Sequence, residues 1–254
     1  MTVDLNSDLG ESFGPWLMGQ DQELMPSLTS ANVACGFHAG DPSAMRVTIA
    51  LARRHRVAVG AHPGFPDLVG FGRREMKASA AEVEDFVLYQ VSALAGIAAA
   101  QGVRLQHVKA HGALYNMACV DRSLADAIAR AVAAFDRELI VFGLPNSELL
   151  RAGEAAGLRV AAEAFADRAY EPDGSLASRR QAGTVIHDPE VVVARVVRMV
   201  KEHEVVAVDG STIRLEPDTI CVHGDTQGAA RLAGEIRRGL EHAGVRVQSL
   251  DSSR

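Results

Sequence analysis

A chain of 254 residues with 48% hydrophobic and 23% charged residues is long enough to bury a full core and has the make-up of an ordinary globular protein. Its net charge of -6, with Lys and Arg spread along the chain, argues against nucleic acid as the main partner, because phosphate contacts need a concentrated basic surface. Three widely spaced cysteines, Cys35, Cys119 and Cys221, form no C-x-x-C pair and point to neither a disulfide framework nor a cysteine zinc site.

The N-terminal "MTVDLNSDLG" lacks a basic region followed by an apolar stretch, so no leader is expected. A first strand is expected over 2–6 and a second over 31–35. Asp41 followed by Pro42 then starts a helix over 42–55, with Asp as cap and Pro at the first helical position. Strands follow at 57–61 and 105–109, around a helix at 79–101 whose Ser79 and Glu82 fit a capping box. The apolar part of that helix carries Tyr89, Gln90 and Ser92 and is too short and interrupted to span a bilayer, which places the chain in the cytoplasm. Further on, helices at 121–135, 146–156, 189–203 and 226–243 alternate with strands at 138–142, 158–163 and 219–223, and a weaker strand at 245–248. Asp188 and Pro189 repeat the Asp-Pro start. Two β-type runs around Asp209 and Gly210 make 204–216 a hairpin.

Unbroken β-α alternation without a linker means one domain, 1–254, with a parallel sheet. An open doubly wound sheet would announce a Gly-rich phosphate loop after its first strand, and "DLNSDLGESFG" is not one. An irregular (β/α) TIM-like barrel of about seven strands fits better, with its active site at the C-terminal strand ends.

Those strand ends carry the same chemistry repeatedly. With the strand period of two, Asp4, Asn6 and Asp8 share one side of the first strand, opposite Val3 and Leu5. His38 lies between Gly36 and Gly40 just after the second strand, glycines that let the chain turn sharply, and His62 follows the third. His107, Lys109 and His111 share one side of the fourth. Glu163 ends a later strand with Asp167 and Arg168 just beyond, and His223 and Asp225 follow the last. Asp41, Asp188 and Asp225 also suit helix caps, the preferred reading for the first two. Acid, imidazole and ammonium groups at six strand ends would converge on one mouth, as acid/base or metal chemistry requires. The loop "GAHPGFPDLVGFGRR" is either a rigid frame or a mobile lid for that mouth, and "FADRAYEPDGSLASRR" is a second candidate lid. Arg73 and Arg74 suit a carboxylate or phosphate.

Six blocks together, "DLNSDLGESFG", "NVACGFHAGDP", "GAHPGFPDLVGFGRR", "VKAHGALYN", "EAFADRAYEPDGSLASR" and "ICVHGDT", resemble the LamB/YcsF family from residue 4 to about 242. The resemblance implies a barrel of the glycoside hydrolase/deacetylase type. It also implies ATP-driven opening of the 5-oxoproline lactam to glutamate, carried out as the A component of 5-oxoprolinase together with B and C partner subunits. Mg-ATP would be the co-substrate. Ala110 stands where the family commonly has proline, "HPGFPD" where H-P-S-Y-P-D is frequent, and Gln227 where proline is often found. These changes touch loop rigidity rather than any titratable group.

Phosphorylation of the lactam oxygen needs a cation beside the developing charge, a base for water and an acid for the leaving nitrogen. Lys109 is assigned to the oxyanion or phosphate, Asp8 or Glu163 to water, and His62 or His111 to the nitrogen, with His38 and His223 as further walls of the catalytic mouth. Asn6, Arg73, Arg74, Asp167, Arg168 and Asp225 complete the substrate- and phosphate-binding set. Two rivals stay open. "NSDLG" resembles the start of metal-dependent carbohydrate deacetylases, in which Asp8, His62 and His111 would hold a divalent metal with Glu163 or Asp4 as base. The same pocket would also serve a non-catalytic subunit that binds a small acid. Neither a nucleic acid nor a membrane is an expected partner, and homo-oligomerisation is left open.

Overall fold

The computed structural model describes residues 1–179, 181–224 and 228–250. Strand β1 (Thr2–Leu9) leads through α1 (Asp21–Leu24) to β2 (Ser30–Ala34), α2 (Pro42–His55) and β3 (Ala58–His62). Helix α3 (Ala80–Ala99) and β4 (Leu105–Lys109) follow, then α4 (Gly112–Val120), α5 (Arg122–Phe135), β5 (Ile140–Gly143), α6 (Glu148–Ala155) and β6 (Arg159–Phe165). After α7 (Pro189–Glu202) the chain makes the expected antiparallel hairpin, β7 (Glu204–Val206) and β8 (Thr212–Arg214), before β9 (Thr219–Cys221). Strand β9 pairs in parallel with both β6 and β1, so seven parallel strands close a barrel. The last helix, α8 (Ala229–His242), leads to β10 (Arg246–Val247), which pairs only with the start of β1 and lies outside the closed ring. Among the described residues, no helix is long and apolar enough to cross a membrane.

The helix starts follow their capping residues. Asp41 accepts from the amides of Ser43 and Ala44, Asp188 from those of Glu190 and Val191, and Ser79 with Glu82 forms a full capping box. Asp41 also accepts from Gly14 through its other oxygen at 2.7 Å, tying the β1 loop to α2. Asp41→Ala is therefore expected to lower the unfolding free energy by about 1 kcal/mol, read from the urea midpoint. Two helices lie outside the expected elements, the single turn α1 and the longer α4. Gly112–Val120 is helical, where only a single helix from 121 was expected. Its short apolar "GALYNMACV" carries no capping side chain at its start, so local signals do not reveal it.

Alternation on β1 divides the molecule. Val3 and Leu5 join the main apolar cluster together with the buried stripe Val83, Val87, Val91 and Leu94 of α3 and Leu124, Ile128 and Val132 of α5. Each such side chain contributes about 1.5–3 kcal/mol on burial. The barrel interior is different. Ile140, Phe142 and Ala161 form a separate small apolar group with Leu250 against it, and most of the remaining interior is polar. Asp4 accepts from Thr29, Ser30 and Thr219, while Asn6 donates to Glu163 and Thr219 and accepts from Asn32. His107 stacks on Phe142 at 4.2 Å and bonds Asn32 at 2.7 Å. A hydrogen-bonded network of this kind fixes the side chains above it in single positions.

Candidate active site

Lys109, at the end of β4, is 2% exposed and forms the hub. Its Nζ lies 2.9 Å from Asp8 Oδ1, 2.8 Å from Glu163 Oε1 and 3.1 Å from Cys221 Sγ, which uses all three ammonium donors. Burial works against its charge, but Asp8, Cys221 and Glu163 outweigh it and hold Lys109 protonated well above its ordinary range. Burial likewise pushes Asp8 up, and the charges of His62 and Lys109 reverse this and hold its carboxyl well below the ordinary range. With its donors taken inside the protein, Lys109 fixes the carboxylates rather than meeting a substrate oxyanion directly. This departs from the role expected of it.

A second cluster sits beside the first. His62 Nε2 is 3.4 Å from Asp8 Oδ2 and 2.9 Å from His111 Nδ1. The far nitrogens of the two rings face backbone carbonyls, His62 Nδ1 that of Lys109 at 2.8 Å and His111 Nε2 that of Phe71 at 2.9 Å. His38 stacks on His111 with ring centroids 3.8 Å apart. Its place depends on two glycines. Gly40 has φ 77°, and a Cβ there would meet the Ala34 carbonyl oxygen at 2.8 Å. Gly72 has φ 62°, and a Cβ there would meet His38 Cβ at 2.7 Å and His111 Cδ2 at 2.8 Å. Burial is the main reason that His38 and His111 are held neutral, well below the ordinary imidazole range.

The third feature is a His–Asp pair. His223 Nδ1 donates to Asp167 Oδ1 at 2.8 Å, and its ring stacks near Phe165. Burial raises Asp167, but the charge and hydrogen bond of His223 leave it below its ordinary value of 3.8. Asp8, Cys221 and His223 each place one atom within 4.8 Å of the others.

These groups open onto a cavity of about 760 Å³ at the C-terminal strand ends. Asp8, His62, Lys109, His111, His223, Arg73, Arg74 and Arg168 line it, as the sequence leads one to expect. Asn6, His38, Glu163 and Asp167 stand behind the wall as buried supports, and Asp225 lies outside the described residues. Burial and the nearby Arg179 lower Arg168 to about 10, and its Nε is buried without a hydrogen-bond partner. Arg73, Arg168 and Arg179 thus form a cationic rim suited to a phosphoryl or carboxylate group. Arg74 plays another part. Both oxygens of Asp67 hold its guanidinium, and Asp67 also receives the amide of Gly70. With Ala113 donating to Gly72 O and His111 to Pro63 O, loop 60–74 is a packed frame rather than a lid. Of the second candidate lid, residue 180 lies outside the described residues, and 165–179 is tied down through Ala169 to Thr184, Ala177 to Ala169 and Arg168 to Ala177.

Reading from sequence overlooks four lining or supporting groups. Glu11 stands within 3.9 Å of His38 Nε2 and 3.8 Å of His111 Nδ1, yet it follows a turn that breaks the alternation of β1. Cys221 touches Lys109 but carries no motif. Arg179 is one of several arginines in a loop. Tyr115, kept protonated well above its ordinary range by burial and by Glu163, sits in the helix that local signals miss. The ligand set Asp8, His62 and His111 needs revision too. Among the described residues, the groups able to share one ion are Glu11, His38, His62 and His111 on one side and Asp8, Cys221 and His223 on the other. Glu11 is the carboxylate grouped with His38, His62 and His111, while Asp8 turns Oδ1 to Lys109 and Asn32 and keeps Oδ2 3.4 Å from His62 Nε2.

Comparison with known proteins agrees with this architecture. The LamB/YcsF family model matches residues 3–254. A protein of Tolumonas auensis, named as the A component of 5-oxoprolinase, is 56% identical over 248 residues, covering 98% of this chain and 99% of its own. One of the same name from Bacillus subtilis is 52% identical over 252 residues, covering 99% and 98%. The crystal structure of a lactam utilization protein from Thermus thermophilus superposes with a TM-score of 0.94 at 50% identity, over 98% of this chain and 100% of that one. A putative cellobiose-phosphate cleavage protein of Enterococcus faecalis, 12% identical with a TM-score of 0.57 over 98% of this chain and 97% of that one, shares the fold alone. Six motif blocks, a closed seven-stranded barrel and a whole-length match converge: the chain belongs to the LamB/YcsF family.

Proposed function

We propose that this chain is the lactam-opening subunit of an ATP-dependent 5-oxoprolinase, converting 5-oxo-L-proline to L-glutamate. The observation that carries this reading is Asp8, held 2.9 Å from the Lys109 ammonium at the floor of a cavity whose rim bears Arg73, Arg168 and Arg179. The names of its relatives, at more than half identity over nearly their whole length, support it.

A lactam carbonyl is a poor electrophile. Transfer of the γ-phosphoryl group of ATP to the lactam oxygen releases ADP and leaves an electron-poor carbon, and the arginine rim would hold that phosphoryl group. Water then adds to the carbon, giving up a proton to Asp8. The ring C–N bond breaks as its electron pair takes a proton delivered through His223, whose ring Asp167 orients. The product of that step is an acyl phosphate, and a second water converts it to the free carboxylate and inorganic phosphate. Lys109 holds the carboxylates of Asp8 and Glu163 in register, and protonated Tyr115 lies beside Glu163.

The chain carries no Gly-rich phosphate loop, so the nucleotide is assigned mainly to partner subunits of the B and C type. On the mouth side, the loop after β1 exposes Trp16 at 70% and Leu17 at 90%, an apolar ledge suited to such a partner. Use of ATP places the enzyme in the cytoplasm. The test is glutamate release from 5-oxoproline and Mg-ATP by the chain with and without its partner subunits. Glutamate that forms only with ATP and partners supports the reading, and its absence from every combination refutes it. In the active mixture, Arg168→Gln is expected to weaken competitive inhibition by inorganic phosphate about 10- to 100-fold, the equivalent of roughly 1.5–3 kcal/mol for a hydrogen bond to a charged group.

A further inference from the structure

His62 and His111 face each other in an arrangement that ordinary hydrogen bonding does not complete. Each ring spends one nitrogen on a backbone carbonyl, which can only accept, so each donates there: His62 Nδ1–H to Lys109 O and His111 Nε2–H to Phe71 O. In the neutral rings the two remaining nitrogens, His62 Nε2 and His111 Nδ1, both carry lone pairs, and they point at one another across 2.9 Å. Two lone pairs at that distance need a cation between them, either a proton or a metal ion.

The surroundings favour the metal ion. An imidazole ligand whose far N–H is anchored to a backbone carbonyl is the usual outer-shell arrangement of metal sites, and it occurs here twice. Glu11 Oε1 is 3.8 Å from His111 Nδ1 and 3.9 Å from His38 Nε2, too far for hydrogen bonds. Ligand atoms around a tetrahedral zinc ion stand about 3.3–3.4 Å apart, given metal–nitrogen bonds of roughly 2.0–2.1 Å. The observed 2.9, 3.8 and 3.9 Å bracket that spacing. His38 is fully buried, and neither of its ring nitrogens has a hydrogen-bond partner. A dry imidazole in that state is costly unless something else uses it.

We propose that Glu11, His38, His62 and His111 form a binding site for one divalent first-row transition metal ion such as Zn²⁺. His62 Nε2, His111 Nδ1 and Glu11 Oε1 supply three ligands, and His38 Nε2 the fourth. His38 lies flat on His111, at 2° between ring planes, so it is the ligand whose ring must tilt to aim at the ion. Three imidazoles and one carboxylate suit zinc, cobalt or nickel rather than magnesium or calcium. The ion would brace the wall of the mouth formed by loop 60–74 and the start of α4, beside Asp8. The site rests on its own geometry, although His62 and His111 also line the cavity and an ion held there would take over the positive charge that His62 otherwise places beside Asp8.

The test is metal uptake by the full chain after chelation, followed by equilibrium dialysis against Zn²⁺ or Co²⁺ and elemental analysis. The proposal expects about one equivalent bound. His111→Gln and His38→Gln should each weaken binding by more than the roughly 10- to 100-fold that loss of an outer-shell partner costs. Cys221→Ser should bind as the wild type does, since Cys221 belongs to the other cluster. The Co²⁺ spectrum of the unmutated chain guards against variants that fail to fold, and it should show ligand-field bands of a nitrogen and oxygen site without a thiolate charge-transfer band. No uptake overturns the proposal. So does binding that survives both histidine substitutions, or a thiolate band placing the ion at Asp8, Cys221 and His223.

Discussion

Lys109→Met is expected to cost about 3–5 kcal/mol of stability and to abolish turnover, because it strips the counter-ion from two buried carboxylates at once. Asp8 and Glu163 lie within 2.9 Å of the ammonium, at 8% and 0% exposure. Methionine preserves most of the volume but leaves Glu163 without its cationic partner and Asp8 with only the nearby histidines to oppose its charge. The triple variant Lys109→Met, Asp8→Asn, Glu163→Gln should regain much of the stability while staying inactive, since uncharged amides need no counter-ion. Urea unfolding of the three proteins reads both effects. Wild-type stability for Lys109→Met alone would mean that the interior is wet enough to solvate the carboxylates.

His223→Ala should lower kcat by about 10²- to 10⁴-fold, the usual contribution of a positioned acid or base, with a much smaller change in KM. Asp167→Asn should follow the same direction, because a neutral amide no longer stabilises the protonated ring and can turn its NH2 to Nδ1, which favours the wrong tautomer. The Asp167 pair also leaves a trace in stability. A carboxyl held below its unfolded value of 3.8 contributes stability that is complete above that pH and is lost as pH falls through the folded value. Asp167→Asn should therefore be less stable than the wild type at pH 7, and calorimetry should find the two converging below pH 3.8. Unchanged kcat in His223→Ala would remove this residue from the chemistry.

The helix starts at Asp41, Ser79 and Asp188 could be read from sequence because a capping side chain acts within three residues of itself. The inward set Asp4, Asn6 and Asp8 could be read as well, since strand alternation is equally local. What could not be read depends on contacts between distant segments. Nothing near Lys109 says that its three donors go to Asp8, Glu163 and Cys221, which stand 101, 54 and 112 residues away along the chain. Glu11 joins three histidines only because the turn after β1 folds over the mouth, and its spacing from Asp8 does not announce it. Arg73 and Arg74 are neighbours with different settings, Arg73 on the rim over the Phe71 ring and Arg74 held by Asp67, a difference made by the fold of loop 60–74. The fold follows from local rules, whereas the division of labour among polar groups follows from closure of the barrel.

The claim on which the rest depends is that Asp8 at the cavity floor opens the lactam. Its most direct test is the initial rate of glutamate formation by Asp8→Asn in the full mixture of partner subunits, 5-oxoproline and Mg-ATP, beside the wild type. The variant's fold would be checked by circular dichroism. A rate below about one hundredth of wild type in a folded protein, in keeping with loss of a general base, is the predicted result. A folded Asp8→Asn chain that makes glutamate at the wild-type rate would contradict it and move the chemistry away from this mouth.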